Sequence, residues 1–227
     1  MPVKLILYDL DGTLVDSKED LARAVNRTLA DLGLPERPHG ELYTFVGNGV
    51  RPLLAKAVGG EHNTAELDHA IEVFRAHYLN HLTDHTTLYP GVDEVLATFG
   101  HLHQAIVTNK PMQYTAGVVR NLGLGPRVGL VLGGDSTPYL KPDPAILHAA
   151  LAHFGVAPEE ALMVGDGLPD VGAARAAGVP CALLTCGLGN PAELAAAAPD
   201  FLLDHIAALI PVVAGLNGGP AQAEGGR

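Results

Sequence analysis

Five short apolar runs, rich in branched residues and nearly free of polar interruptions, constrain this chain most. They are 3–8 (VKLILY), 104–107 (QAIV), 128–132 (VGLVL), 161–164 (ALMV) and 181–184 (CALL). Continuous rather than alternating apolar runs mark strands covered on both faces, which is how parallel sheets are built. Helical stretches lie between the later runs. Pro111 to Leu122 is one; Pro144 to Phe154 is another, with Asp143 as N-cap and Pro144 in the first turn; Asp170 to Ala177, closed by Gly178, is a third. From about Val92 onward strand and helix alternate, the pattern of a doubly wound, Rossmann-like α/β domain with a parallel sheet.

Between the first and second runs the alternation stops. Residues 16–89 read as helices only, over Glu19–Leu32, Val50–Val58 and Ala65–Leu82. The expected organisation is an α/β core from residues 1–15 and 90–214, with an inserted helical cap domain at 16–89. The stretch 215–227 (GLNGGPAQAEGGR) is expected to be a disordered tail. A length of 227 residues suits one main domain with a smaller insert.

Charge narrows the partners. A formal net charge of −11 argues against a nucleic-acid backbone and against an anionic membrane surface. An anionic substrate would therefore need a local cation to draw it in. Cys181 and Cys186 support neither a disulfide framework nor a closed zinc site, and they read as small core residues. The chain opens on a short apolar run with no signal peptide and shows no membrane span, so a reduced cytoplasmic setting is expected, with the oligomeric state left open.

In an open α/β sheet, ligands sit outside the carboxyl ends of the strands. The first run ends on Asp9-Leu10-Asp11-Gly12-Thr13, the second on Thr108-Asn109-Lys110 and the fourth on Gly165-Asp166, while Lys141 precedes the helix capped by Asp143. Asp9, Asp11, Asp166 and Asp170 would thus converge on one crevice with Lys141 as the nearby cation. Carboxylates so close cannot all ionise without compensation, and a hard divalent cation such as Mg2+ supplies it. Such a site suits a phosphoryl group held by the cation, Lys141, the Thr108 hydroxyl and loop N–H groups. A carboxylate placed in line can then form an acyl phosphate.

These segments resemble the four motifs of the haloacid dehalogenase superfamily, in family order: 9–17 (DLDGTLVDS), 107–110 (VTNK), 141–144 (KPDP) and 164–170 (VGDGLPD). The helical insert stands where that family's first-type cap belongs. Softer likenesses to bacterial phosphoglycolate phosphatases lie at Gly47-Asn48-Gly49, Gly133-Gly134-Asp135, Ala176-Ala177-Gly178 and Pro199-Asp200. The resemblance implies Asp9 as nucleophile and metal ligand. Asp11 would be general acid–base and metal ligand through its carbonyl, Asp166 the remaining metal ligand, and Asp170 a group close behind. Thr108, Asn109 and Lys141 would be the phosphate-binding residues, and the substrate a small phosphate ester. Three positions depart from the pattern: Gly167 replaces Ser or Thr, Pro169 a polar residue, and Tyr8 the usual Phe.

Plainer readings stand beside these. Asp170 could only cap its helix. The loop 47–49 either precedes a helix or reaches down to the substrate, and Arg51 either adds charge there or is solvated. His77, His81 and His85 recur at four-residue spacing, but without a carboxylate set or cysteines nearby they read as solvated. Two rival functions are a sugar phosphomutase of the same fold and a phosphoaccepting signalling receiver, although receivers are shorter and lack the insert. Halide cleavage is disfavoured because it needs no acid at Asp11.

Overall fold

The computed structural model describes residues 2–59 and 63–218. Strands β1 (Leu5–Tyr8), β4 (His103–Val107), β5 (Leu130–Leu132), β6 (Ala161–Gly165), β7 (Cys181–Leu184) and β8 (Phe201–Leu203) form one six-stranded sheet in the order β5-β4-β1-β6-β7-β8. Every pairing in it is parallel, with Leu5 level with His103 on one side and Ala161 on the other. The chain fills the sheet on one side of β1 and then crosses to the other. The crevice at the carboxyl ends of β1, β4 and β6 is therefore a topological switch point.

The apolar runs are continuous because both sheet faces are covered. Ile6, Tyr8, Ile106, Leu162 and Val164 enter one buried cluster, while Leu5, Leu7, Ala105, Val107, Ala161 and Met163 enter another. Period-2 alternation of side chains across the strand thus sends neighbours to opposite cores. Helices α5 (Val92–Thr98), α6 (Met112–Asn121), α7 (Ala145–Phe154), α8 (Leu168–Ala177), α9 (Pro191–Ala196) and α10 (Leu209–Leu216) flank the sheet.

Between β1 and α5 lie α1 (Lys18–Asp31), α2 (His39–Tyr43), α3 (Val50–Val58) and α4 (Thr64–Leu79), entered and left through an antiparallel two-strand ribbon, β2 (Val15–Asp16) with β3 (Thr87–Leu88). Asp20, buried in the first turn of α1, fastens the return segment: it accepts from the backbone N–H of His85 at 2.9 Å and from the N–H and hydroxyl of Thr86 at 2.8 and 2.7 Å.

Several expectations need correction. The stretch 215–227 is not wholly a tail: α10 runs to Leu216, and Asn217 accepts from the Val3 N–H at 2.6 Å, pinning this end beside β1. Positions 219–227 lie outside the described residues. Helix α4 stops at Leu79, because Asn80 ends it, so His81 and His85 leave its face. Asp143 stands one residue before the N-cap of α7 and accepts from the Ala145 N–H at 2.9 Å. The ribbon β2–β3, α2, α5, β8, α9 and α10 escaped the sequence, and β3 falls within the stretch 16–89 that read as helices only.

Candidate active site

Asp9 follows β1 directly, and its N–H donates to Val164 O at 2.9 Å, continuing the ladder with β6. Its Oδ1 accepts from the Leu10 N–H at 2.7 Å and faces Lys141 Nζ at 3.1 Å. Oδ2 has no hydrogen-bond partner among the described residues. The chain then turns tightly, with Gly12 donating to Val15 O at 2.9 Å. Gly12 has φ +86°, and a Cβ there would lie 2.0 Å from Asp166 Oδ2, so both conformation and close approach require glycine. That approach lets the Thr13 hydroxyl donate to Asp166 Oδ1 at 2.9 Å.

Asp11 turns away from Asp166. Its carboxylate accepts from the Ser17 hydroxyl at 2.6 Å and from Lys110 Nζ at 2.9 and 3.0 Å. Lys141 crosses behind Asp9, donating to Val107 O at 2.8 Å and to Asp170 Oδ1 at 2.7 Å. Asp170 Oδ2 accepts from the N–H groups of Asp166 and Gly167 at 3.2 and 3.0 Å. Asp170 therefore both ties down the first turn of α8 and pairs with Lys141. Thr108 is buried, and its oxygen accepts from the Lys110 N–H at 3.2 Å, leaving the hydroxyl proton available.

Asn109 needs a correction. Its side-chain oxygen accepts from the Lys141 N–H at 2.8 Å, and its amide donates to Lys141 O and Gly47 O at 3.0 and 3.2 Å. The side chain is committed to bracing, so only its backbone is free to meet a phosphoryl oxygen.

Charge then decides what the site can hold. Asp9, Asp166 and Asp170 each offer an oxygen within 4.8 Å of the others, and all three are buried. The sequence had placed Asp11 in this group; its carboxylate points to Lys110 instead, leaving only its carbonyl for that role. Four buried or nearly buried carboxylates face two ammonium groups, Lys110 and Lys141, which leaves two negative charges uncompensated. Asp166 is where the imbalance falls: it accepts from the Thr13 hydroxyl and from the Leu188 N–H at 2.8 Å but touches no basic side chain among the described residues. Burial, then the charges of Asp9 and Asp170, push its carboxyl well above the ordinary range. Burial likewise raises Asp9, with Lys141 opposing and Asp170 adding to the rise. An oxygen-liganded divalent cation fits this donor set.

Core and helical segment enclose two cavities over Asp9 and Asp11. One, of about 480 Å³, is open past Asn48, Lys56, Asp166 and Leu188; the other, of about 40 Å³, lies under Gly47, Gly49 and Val50. Loop 47–49 does reach the core, through Gly47 O on Asn109. Arg51 does not, being paired with Asp68 on the surface. The histidines share no site: His77 pairs with Asp31, His81 with Asp84 and His85 with Asp20. Two side chains at the crevice were not assigned from the sequence: Lys110, a second buried lysine, donates to the Tyr78 hydroxyl of α4 at 2.7 Å. The lysine sat in plain view beside Thr108; only the contact with a tyrosine 32 residues away shows where it points.

The sequence profile of the haloacid dehalogenase-like hydrolases matches residues 6–184. The chain belongs to that family, and it is an enzyme, a phosphoric monoester hydrolase. Among similar proteins, Phosphoglycolate phosphatase 1 of Pseudomonas aeruginosa is 38% identical over 216 residues, covering 92% of this chain and 79% of that one. The Phosphoglycolate phosphatase of Yersinia pseudotuberculosis is 36% identical, covering 93% of each. The crystal structure of a predicted phosphoglycolate phosphatase from Haemophilus somnus superposes with a TM-score of 0.86 at 33% identity, over 92% of this chain and 97% of that one. Membership of a hydrolase family excludes the signalling receiver. No helix among the described residues is long and apolar enough to cross a membrane.

Proposed function

We propose that the enzyme is a magnesium-dependent phosphomonoesterase that passes through an aspartyl-phosphate on Asp9 and acts on phosphoglycolate or a similarly small ester. One observation carries the reading: Asp9 is buried with Oδ1 fixed by Leu10 and Lys141, Oδ2 is unpartnered among the described residues, and a second carboxylate stands two positions on at Asp11. The names of relatives 36–38% identical support the substrate.

Asp9 Oδ2 attacks phosphorus while the ester P–O bond breaks, and Asp11, in its protonated form, gives its proton to the departing alkoxide. Water then attacks the same phosphorus and returns a proton to Asp11. The acyl P–O bond breaks, releasing phosphate and restoring Asp9. Lys141 has its protons directed at Val107 O, Asp170 and Asp9, so it acts on the phosphoryl group chiefly through its charge. The Thr108 hydroxyl donates to a phosphoryl oxygen. Asp9, Asp166 and the Asp11 carbonyl would hold Mg2+, which supplies positive charge to the transferring oxygens.

The test is a panel of small phosphate esters ranked by kcat/KM with magnesium, repeated after chelation. Phosphoglycolate should lead the panel, and chelation should abolish turnover until magnesium is returned. Activity that survives thorough chelation, or a preference for hexose phosphates, would refute the reading.

A further inference from the structure

We propose that Lys110, braced by Tyr78, is the specificity-determining cation of this enzyme, binding a carboxylate on the leaving-alcohol part of the substrate. The inference rests on the proposed function and names the group that selects the substrate.

Any anion entering a protein of net charge −11 needs a cation at the point of recognition. The other candidates are engaged or misplaced. Lys141 is consumed by Asp9 and Asp170, Arg51 by Asp68, and Lys56 stands exposed on the wide outer cavity. Lys110 is the one basic side chain lining the small cavity among the described residues. The rest of that cavity is largely apolar, with Leu21, Val46, Val50, Leu53 and Tyr114. In such surroundings a charge-assisted hydrogen bond counts for more than in water.

Lys110 is also built for the task. Its ammonium donates to both oxygens of Asp11, at 2.9 and 3.0 Å, and to the Tyr78 hydroxyl at 2.7 Å, so an incoming carboxylate takes the N–H that one Asp11 oxygen gives up when Asp11 carries a proton. Its Nζ lies 4.8 Å from the centre of the Tyr78 ring, which packs 5.2 Å from both Phe74 and Tyr114. The first turn of α3 lines the same cavity through Gly49 and Val50, and the first N–H groups of a helix have no intrahelical partner. A carboxylate on the alcohol part of the ester would meet Lys110 beside Asp11, where the alcohol must leave.

The experiment compares phosphoglycolate with its uncharged carboxamide, using the wild type, Lys110→Met and Tyr78→Phe, each checked for folding by thermal melting. Both esters should lose rate in Lys110→Met, because Asp11 loses its partner, so the ratio of kcat/KM values is the readout. That ratio should favour phosphoglycolate in the wild type. It should fall on the order of ten- to hundredfold in Lys110→Met, mainly through KM, and on the order of severalfold in Tyr78→Phe. Equal losses on both esters would overturn the inference and leave the substrate reading intact, with Lys110 only a counter-ion of Asp11. A wild-type ratio near one would overturn both. If Lys110→Met does not fold, an unchanged ratio in Tyr78→Phe decides against the inference.

Discussion

Asp9 and Asp11 stand two residues apart, yet the fold gives them different neighbours, and the division of labour follows from that. Asp9 faces Asp166 and Lys141, while Asp11 turns to Ser17 and Lys110. An amide at position 9 keeps the shape but is a poor nucleophile and a weaker metal ligand. Asp9→Asn should therefore retain its melting temperature within a few degrees while losing nearly all turnover. Asp11→Asn should lose about 10²–10⁴-fold in kcat, the usual worth of a general acid–base. Steady-state kinetics and a thermal melt on both variants check this, and near-wild-type turnover by Asp9→Asn would end the covalent account. Asp9, Asp11, Thr108 and Asp166 were legible because they stand at the ends of apolar runs, and Lys141 because it precedes a helix. Their side-chain directions were not: that Asn109 is spent on bracing, and that Asp170 pairs with Lys141, depends on contacts across 32 and 29 positions that no local pattern encodes.

At the scale of elements, the loop 47–49 joins the helical segment to the core. Gly49 has φ +89°, and a Cβ there would lie 3.3 Å from Leu140 Cδ1 and 3.7 Å from Asn109 O. A β-branched residue is strained in that conformation and pushes α3 away from the crevice. Gly49→Val should raise KM for phosphoglycolate on the order of tenfold or more, and much less for an uncharged aryl phosphate. Equal losses on both would make the loop scaffold. The elements that sequence revealed are those with an unbroken signature, such as β1 or β7, whose four residues are all buried. Strand β8 escaped because it is a three-residue edge strand with Leu202 exposed in the middle, so neither a continuous nor a long alternating pattern exists to read. The short helix α9 did carry a local signal: Asn190 caps it by accepting from the Ala192 N–H at 2.9 Å, with Pro191 next in line.

For the molecule as a whole, a net charge of −11 coexists with a site designed to receive an anion. The resolution is local. Two buried lysines and the proposed cation offset four carboxylates at the switch point, and the helical segment closes apolar surface over them. The sequence showed the acidic half of that balance and one of the two lysines. The second, Lys110, acquires its meaning only when α4 brings Tyr78 over the crevice. The central claim is that phosphorus is bonded to Asp9 during turnover. The most direct measurement is rapid acid quenching of Asp11→Asn, in which release of the intermediate is slowed, mixed with phosphoglycolate and magnesium and followed by mass spectrometry of its peptides. The account predicts one phosphoryl group on the peptide bearing Asp9, located at Asp9, rising and falling within a turnover. A phosphoryl group on any other side chain, or product formed across the quench series with Asp9 never modified, would contradict it.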